Sequence, residues 1–126
     1  MNFPGQSLDG FVNARSQANA LLYSFDALEE GKRGLGLGEA LVLQASYTLL
    51  SRQETISVPS IFELVPSTEN NVRRALTKFE EEQYILISIE ESEEYRRSHN
   101  HFGHPRRLYT PTDFGHLILM CFEPKV

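Results

Sequence analysis

The sequence predicts a mainly α-helical fold with a small antiparallel β-sheet, and three patterns support this prediction. Apolar residues recur at intervals of three and four along several segments, which is typical of helices with one buried face. The segment from Tyr84 to Ile89 instead alternates with period two, as a strand does. Stretches that contain glycine and proline separate these segments. We therefore expect an α+β protein whose core is built mostly by helices.

The N-terminal part of the chain is expected to contain two helices. A long amphipathic helix is expected from Leu8 to Leu28, with helical spacing of its apolar residues: Phe11, Ala14, Ala18, Leu21, Leu22, Phe25 and Leu28. Four glycines between Gly31 and Gly38 then predict a connector, because glycine disfavours helix. A second helix is expected from about Gly38 to Leu50.

A short helix is predicted next. Residues 55–57 have the pattern of a very short strand, after which Ser57 can cap a helix. Pro59 fits the first turn of that helix, and the helix is expected to end near Leu64. Pro66 should then prevent this helix from continuing.

A longer helix is expected to follow from Ser67 or Thr68 to about Gln83. Its apolar residues are spaced by four and three, so Val72, Leu76 and Phe79 should form the buried face. Two helices joined by a turn as short as residues 65–67 are typical of a helix-turn-helix.

The C-terminal part of the chain is expected to contain a β-hairpin and a last helix. The period-two strand places Ile85, Ile87 and Ile89 on one face. The polar stretch from Glu90 to Pro105 is expected to be a long loop, with residues 106–110 as the returning strand. Thr112 can cap a final helix, which is expected to carry these residues: Phe114, Leu117, Ile118 and Cys121.

This order of elements resembles that of the MarR-type winged-helix transcriptional regulators. The resemblance covers about Leu35 to Leu119, and the segments that carry it are residues 37–43, 56–64, 72–80 and 109–115. It implies a winged helix-turn-helix with an added N-terminal helix, in which the hairpin is the wing. Residues 1–34 would then be a dimerisation element, and residues 35–126 a domain that binds double-stranded DNA.

The resemblance also indicates which side chains would contact DNA. With one face of the longer helix buried, the opposite face offers Ser67, Thr68, Asn70, Asn71, Arg73, Arg74, Thr77 and Lys78. Arginine can pair with guanine and asparagine with adenine in the major groove. The expected contacts of the wing with the minor groove or the backbone are Arg96, Arg97, Arg106 and Arg107. The alternatives are a solvated helix face and a solvated hairpin with internal Arg–Glu pairs.

The first helix is too apolar along one stripe to stand alone. The resemblance implies a symmetric homodimer, and the expected interface residues are Phe11, Ala18, Leu22 and Phe25. Packing within the chain alone is the alternative.

The composition narrows the classes of function. The formal net charge is −5, so any DNA-binding face must be locally basic. The sequence has no phosphate-binding glycine loop, nucleophile elbow or clear catalytic triad, so neither an enzyme nor a cofactor is expected. It also has no run of about 20 apolar residues and no signal-peptide pattern, from which we expect a cytoplasmic protein. Cys121 is the only cysteine, which excludes an intrachain disulfide.

His99, His101 and His104 form a His-X-His-X-X-His pattern that suggests a metal site. The spacing is short and no cysteine lies nearby, so no metal is expected there. A second hypothesis is that protonation of these histidines at about pH 6 makes the contacts of the wing with DNA pH-sensitive.

Three functions stay open on the sequence alone. The first is a sequence-specific DNA-binding regulator, most simply a repressor. The second is a plasmid or phage protein that binds a centromere or a replication origin, and the third is a winged-helix module that binds other proteins. The operator, the regulated genes and a small-molecule effector are also left open.

Overall fold

The computed structural model describes residues 7–24, 34–100 and 106–124. In chain order its elements are α1 (Leu8–Ser24), α2 (Leu37–Ser51), α3 (Val58–Phe62), α4 (Glu69–Glu81), β1 (Leu86–Glu90), α5 (Glu93–Ser98), β2 (Arg107–Pro111) and α6 (Asp113–Met120). Most of these residues are helical, and the two strands form one antiparallel sheet. The predicted α+β class is therefore confirmed. None of the helices in the described ranges is long and apolar enough to cross a bilayer.

The predicted caps explain where three of the helices begin. The hydroxyls of Ser57, Thr68 and Thr112 each accept a hydrogen bond from the backbone N–H three residues later, at the starts of α3, α4 and α6. Such a bond satisfies one of the N–H groups that a helix start leaves unpaired, and its loss costs about 1 kcal/mol. Pro59 lies in the first turn of α3, as predicted.

Helix α2 lies at the centre of the fold and packs against α3, α4 and α6. Helix α4 turns Val72, Leu76 and Phe79 into the core, where each is 0% exposed. The predicted buried face of this helix is therefore confirmed, which fixes the opposite face towards solvent.

Helix α1 packs into the same core, and this corrects the prediction of the interface residues. Phe11, Ala18 and Leu22 are each 0% exposed within the single chain, and the ring of Phe11 lies 6.2 Å from that of Phe122. Side chains enclosed in this way have no surface left for a second copy. The apolar stripe was identified correctly, but its partner is the chain itself. Phe25 and the predicted end of the helix at Leu28 lie outside the described residues.

Two polar contacts hold α1 against the segment that precedes α2. The Arg15 Nε donates to the carbonyl of Leu35 at 2.7 Å, and the Leu35 N–H donates to Asn19 Oδ1 at 2.7 Å. Both backbone groups of Leu35, whose side chain is buried, are thereby satisfied.

The sheet has a simple register, in which Ile87 pairs with Thr110 and Ile89 with Leu108. Ile87 and Ile89 share a face, as predicted, and that face is open to solvent, since their side chains are 52% and 64% exposed. The third predicted member, Ile85, precedes β1 and is 0% exposed, so its inclusion in this face was wrong. The predicted short strand at residues 55–57 is a single bridge, in which the Tyr109 N–H donates to the carbonyl of Ile56 at 2.9 Å.

The prediction of a long loop between the strands was wrong, because this stretch contains α5. Ser92 caps the helix by accepting from the Tyr95 N–H at 3.0 Å. Glu93 in its first turn pairs with Arg97 in its last turn at 2.7 Å, which suits both the i,i+4 spacing and the helix dipole.

Candidate nucleic-acid interface

Helix α4 presents a polar face opposite its buried stripe. Asn70, Asn71, Arg73 and Arg74 are exposed, and Thr77 is half-buried at the edge of this face. Within the described ranges, the structure gives no side-chain partner to Asn70, Asn71 or Arg74. These side chains are therefore available to an external ligand, as the sequence-based prediction requires.

The remaining candidates near α4 have roles within the chain. The hydroxyl of Thr68 accepts from the Asn71 N–H at 3.2 Å as the cap of the helix, and Ser67 precedes it in the turn, half-buried. Lys78 Nζ lies 2.8 Å from Glu39 Oε2, and the two side chains are only 26% and 23% exposed. The other oxygen of Glu39 accepts from the Gly36 N–H at 2.7 Å. Lys78 therefore ties α4 to the start of α2, which makes it the least available of the predicted contacts.

Arg73 is paired, but in an exposed position. Its Nη2 lies 2.9 Å from Glu69 Oε1, one turn earlier on the helix, and the side chains are 56% and 57% exposed. An exposed pair of this kind contributes about 0.2–1 kcal/mol, so a phosphate or a base edge can displace the carboxylate.

A groove of about 360 Å³ separates α4 from the hairpin. It is lined by the start of α3, by one side of α4, and by β2 with the residue before it: Val58, Pro59, Glu69, Arg73, Thr77, Arg106, Arg107 and Tyr109. The structure thus brings Arg106 and Arg107 of the hairpin to the same groove as Arg73 of the helix. Arg106 is also held through its backbone, since its carbonyl accepts from the Glu91 N–H at 2.9 Å.

Glu80 joins α4 to both strands. One of its carboxylate oxygens accepts a hydrogen bond from the Ser88 hydroxyl on β1, and the other lies 3.6 Å from Arg107 Nη1 on β2. Residues 80–82 are three consecutive glutamates around the end of α4, but they do not share one environment. Glu80 faces the sheet, whereas Glu81 and Glu82 are exposed at the end of the helix.

Tyr109 lies at the base of the groove and is only 6% exposed. Burial raises the pKa of its hydroxyl above the ordinary value of 10.0, and this outweighs the opposing effect of the nearby Arg107 guanidinium. Tyr109 is therefore neutral at physiological pH. Its hydroxyl and the carboxylate of Glu80 both interact with Arg107.

The other two hairpin candidates, Arg96 and Arg97, lie on α5 and not along this groove. Arg97 pairs with Glu93, which is the internal Arg–Glu pairing that the solvated alternative expects. Arg96 is half-buried, and its Nε is enclosed without a hydrogen-bond partner in the described part of the chain.

Of the histidine pattern, only His99 is described. Its ring stacks on that of Tyr95 at 3.9 Å, at the end of α5. His101 and His104 lie outside the described residues, and among the residues that the structure describes no cluster of three potential metal ligands is found.

Sequence reasoning missed the roles of three residues in or beside the groove. Glu69 could have been found from its i,i+4 spacing to Arg73. Glu80 carried no such local signal, because its contacts with Ser88 and Arg107 join different elements of the fold. Tyr109 follows Arg107 by two residues, which places both on one face of β2.

Comparisons of this chain with family models, with curated proteins and with solved structures found no match.

Proposed function

We propose that this chain is a sequence-specific transcriptional regulator that binds double-stranded DNA through a winged helix-turn-helix, most simply as a repressor of the MarR type. The observation that carries the proposal is the exposed face of α4, where Asn70, Arg73 and Arg74 stand opposite the buried stripe. These are the side-chain types that pair with purine edges in the major groove, and the groove is wide enough to admit a helix.

The arrangement of the neighbouring elements supports the same proposal. Helices α3 and α4 pack together across a short turn, and the β1–β2 hairpin packs beside α4. In this proposal α4 is the recognition helix and the hairpin is the wing. Arg106 and Arg107 then lie where the backbone next to the major groove would pass.

A homodimer is part of the proposal, because two copies would read two half-sites about one helical turn apart. The interface would need surface side chains in place of the three that the core encloses. Leu8 and Val12 of α1 are such side chains, at 51% and 46% exposed. Sedimentation of the protein alone and with DNA would measure the number of copies directly.

The decisive experiment is a fluorescence-anisotropy titration against duplex DNA. A mixed-sequence duplex at low and moderate salt tests for binding, and selection from a randomised duplex pool supplies a preferred site. On that site, Arg73→Ala or Arg74→Ala should weaken binding by about 1–3 kcal/mol if the side chain makes a bidentate base contact. The loss should be smaller on mixed-sequence DNA.

Arg52→Ala is the matched control. It removes the same charge from an exposed position at the end of α2, outside the proposed face. An equal loss for Arg52→Ala would mean that only net charge matters. No binding of the wild type at either salt concentration would overturn the proposal and favour a module that binds other proteins.

A further inference from the structure

Glu80 has an unusual place for an acidic residue beside a proposed DNA-binding groove. Its side chain is only 23% exposed, and its two oxygens are shared between β1 and β2. It is the α4 member of a contact that joins one helix to both strands of the hairpin. An acidic side chain that merely terminated the helix would not need these partners.

The contact restricts Arg107 more than its neighbour Arg106. Arg107 Nη1 lies 3.6 Å from Glu80 Oε1, and its guanidinium is near enough to act on the pKa of the Tyr109 hydroxyl, while the Arg107 side chain is still 54% exposed. The Arg106 backbone N–H donates to Glu91 Oε2 at 3.2 Å, but its guanidinium has no carboxylate partner among the residues that the structure describes. Because an arginine has five N–H donors in a planar fork, Arg107 can interact with Glu80 on one side and still donate to a second anion.

We infer that Glu80 is a positioning residue, which holds Arg107 at the groove so that Arg107 can bind a phosphate of the DNA backbone. The inference rests on the proposed function and specifies how one part of that interface works. Glu80 itself does not contact DNA. It stabilises the angle between the hairpin and α4 and reduces the number of conformations that Arg107 must give up on binding.

The sign of the effect separates this inference from simple electrostatics. Removing a negative charge near a polyanion should strengthen binding if the charge only repels. Removing a positioning residue should weaken binding, although the protein becomes less acidic. Glu80→Gln and Glu81→Gln remove the same charge from adjacent residues of α4, so they form a matched pair.

The experiment measures the affinity of the full chain for its selected duplex at several salt concentrations. Each phosphate contact contributes about 0.9 to the slope of log K against log salt. Arg107→Ala and Glu80→Gln should each lower that slope by about this amount and weaken binding by roughly five- to tenfold at moderate salt. Glu81→Gln should leave the slope unchanged and the affinity equal or higher.

The salt slope also guards against a trivial explanation, because a variant that is partly unfolded loses active protein without changing the slope. The double variant Glu80→Gln/Arg107→Ala should bind no more weakly than Arg107→Ala alone, since Glu80 acts through Arg107. That result, together with a lowered slope for Glu80→Gln, is the expected one.

Three outcomes would overturn the inference. If Glu80→Gln strengthens binding as a simple loss of repulsion would, or if Arg107→Ala leaves the slope unchanged, the inference fails while the proposed function stands. If the wild type binds no duplex DNA, both fail together.

Discussion

Gly115 should be the glycine least tolerant of substitution in the described part of the chain. It lies in the first turn of α6, and a β-carbon there would overlap the carbonyl oxygen of Ile85 and lie 2.9 Å from the carbonyl carbon. The same carbonyl oxygen accepts from the Thr112 N–H at 3.0 Å, and the Thr112 hydroxyl donates to the carbonyl of Tyr84 at 2.5 Å. Relief of the overlap therefore requires α6 to move away from the start of the hairpin.

The size of the effect follows from these contacts. Overpacking costs about 1–3 kcal/mol, and each of the two hydrogen bonds adds about 1 kcal/mol if the shift breaks it. Alanine in a helix recovers about 1 kcal/mol relative to glycine. Gly115→Ala should therefore lower the free energy of unfolding by about 2–4 kcal/mol, measured by urea unfolding followed by circular dichroism.

Gly38→Ala provides the control. Gly38 lies in the first turn of α2, and a β-carbon there would meet nothing within 4 Å. This variant should be as stable as the wild type or more stable by up to about 1 kcal/mol. A Gly115→Ala protein within about 0.5 kcal/mol of the wild type would refute the reasoning, because the packing of α6 against Ile85 would then be looser than described.

Two further predictions concern the groove. Glu69→Gln releases Arg73 from its exposed pair, so DNA binding should tighten by about two- to threefold. The free energy of unfolding should fall by about 0.3–1 kcal/mol, because an acidic residue is lost from the start of α4. Weaker DNA binding would instead mean that Glu69 itself contacts DNA. Burial raises the pKa of Tyr109 above 10.0, so the folded chain keeps a proton that the unfolded chain releases. The stabilisation of the folded chain by this retained proton is complete below pH 10.0 and is lost as the pH rises through the raised pKa of Tyr109. As the pH rises above 10.0, the free energy of unfolding should therefore fall less for Tyr109→Phe than for the wild type. An equal fall would contradict the raised pKa of Tyr109.

The parts of the fold that local patterns encode were predictable from the sequence. The caps Ser57, Thr68 and Thr112 each act on a backbone group three residues away, and the buried face of α4 follows from its own spacing. The same logic could have found α5, since Ser92 and the Glu93–Arg97 pair are local signals. The excess of charged residues there suggested a loop instead.

What the sequence could not provide is the partner of each surface. The apolar stripe of α1 would look the same whether it met a second copy or, as found, the chain's own core around Leu22. The same limit applies to the groove between α4 and the hairpin. Arg107 and Tyr109 share a face of β2 because they are two residues apart, but they meet Glu80 only because the hairpin packs on α4, which no spacing along the chain encodes.

The placement of carboxylates explains how an acidic chain can present a basic groove. The chain has 17 acidic and 12 basic residues, so its net charge opposes binding to a polyanion at long range. At about 0.1 M salt, however, the Debye length is about 10 Å, and groups at contact distance dominate. Glu39 pairs with Lys78 away from the groove, whereas Glu69 and Glu80 act on Arg73 and Arg107 within or beside it. On the proposed function, affinity is then set by which arginines a carboxylate occupies or positions, and only weakly by the total charge.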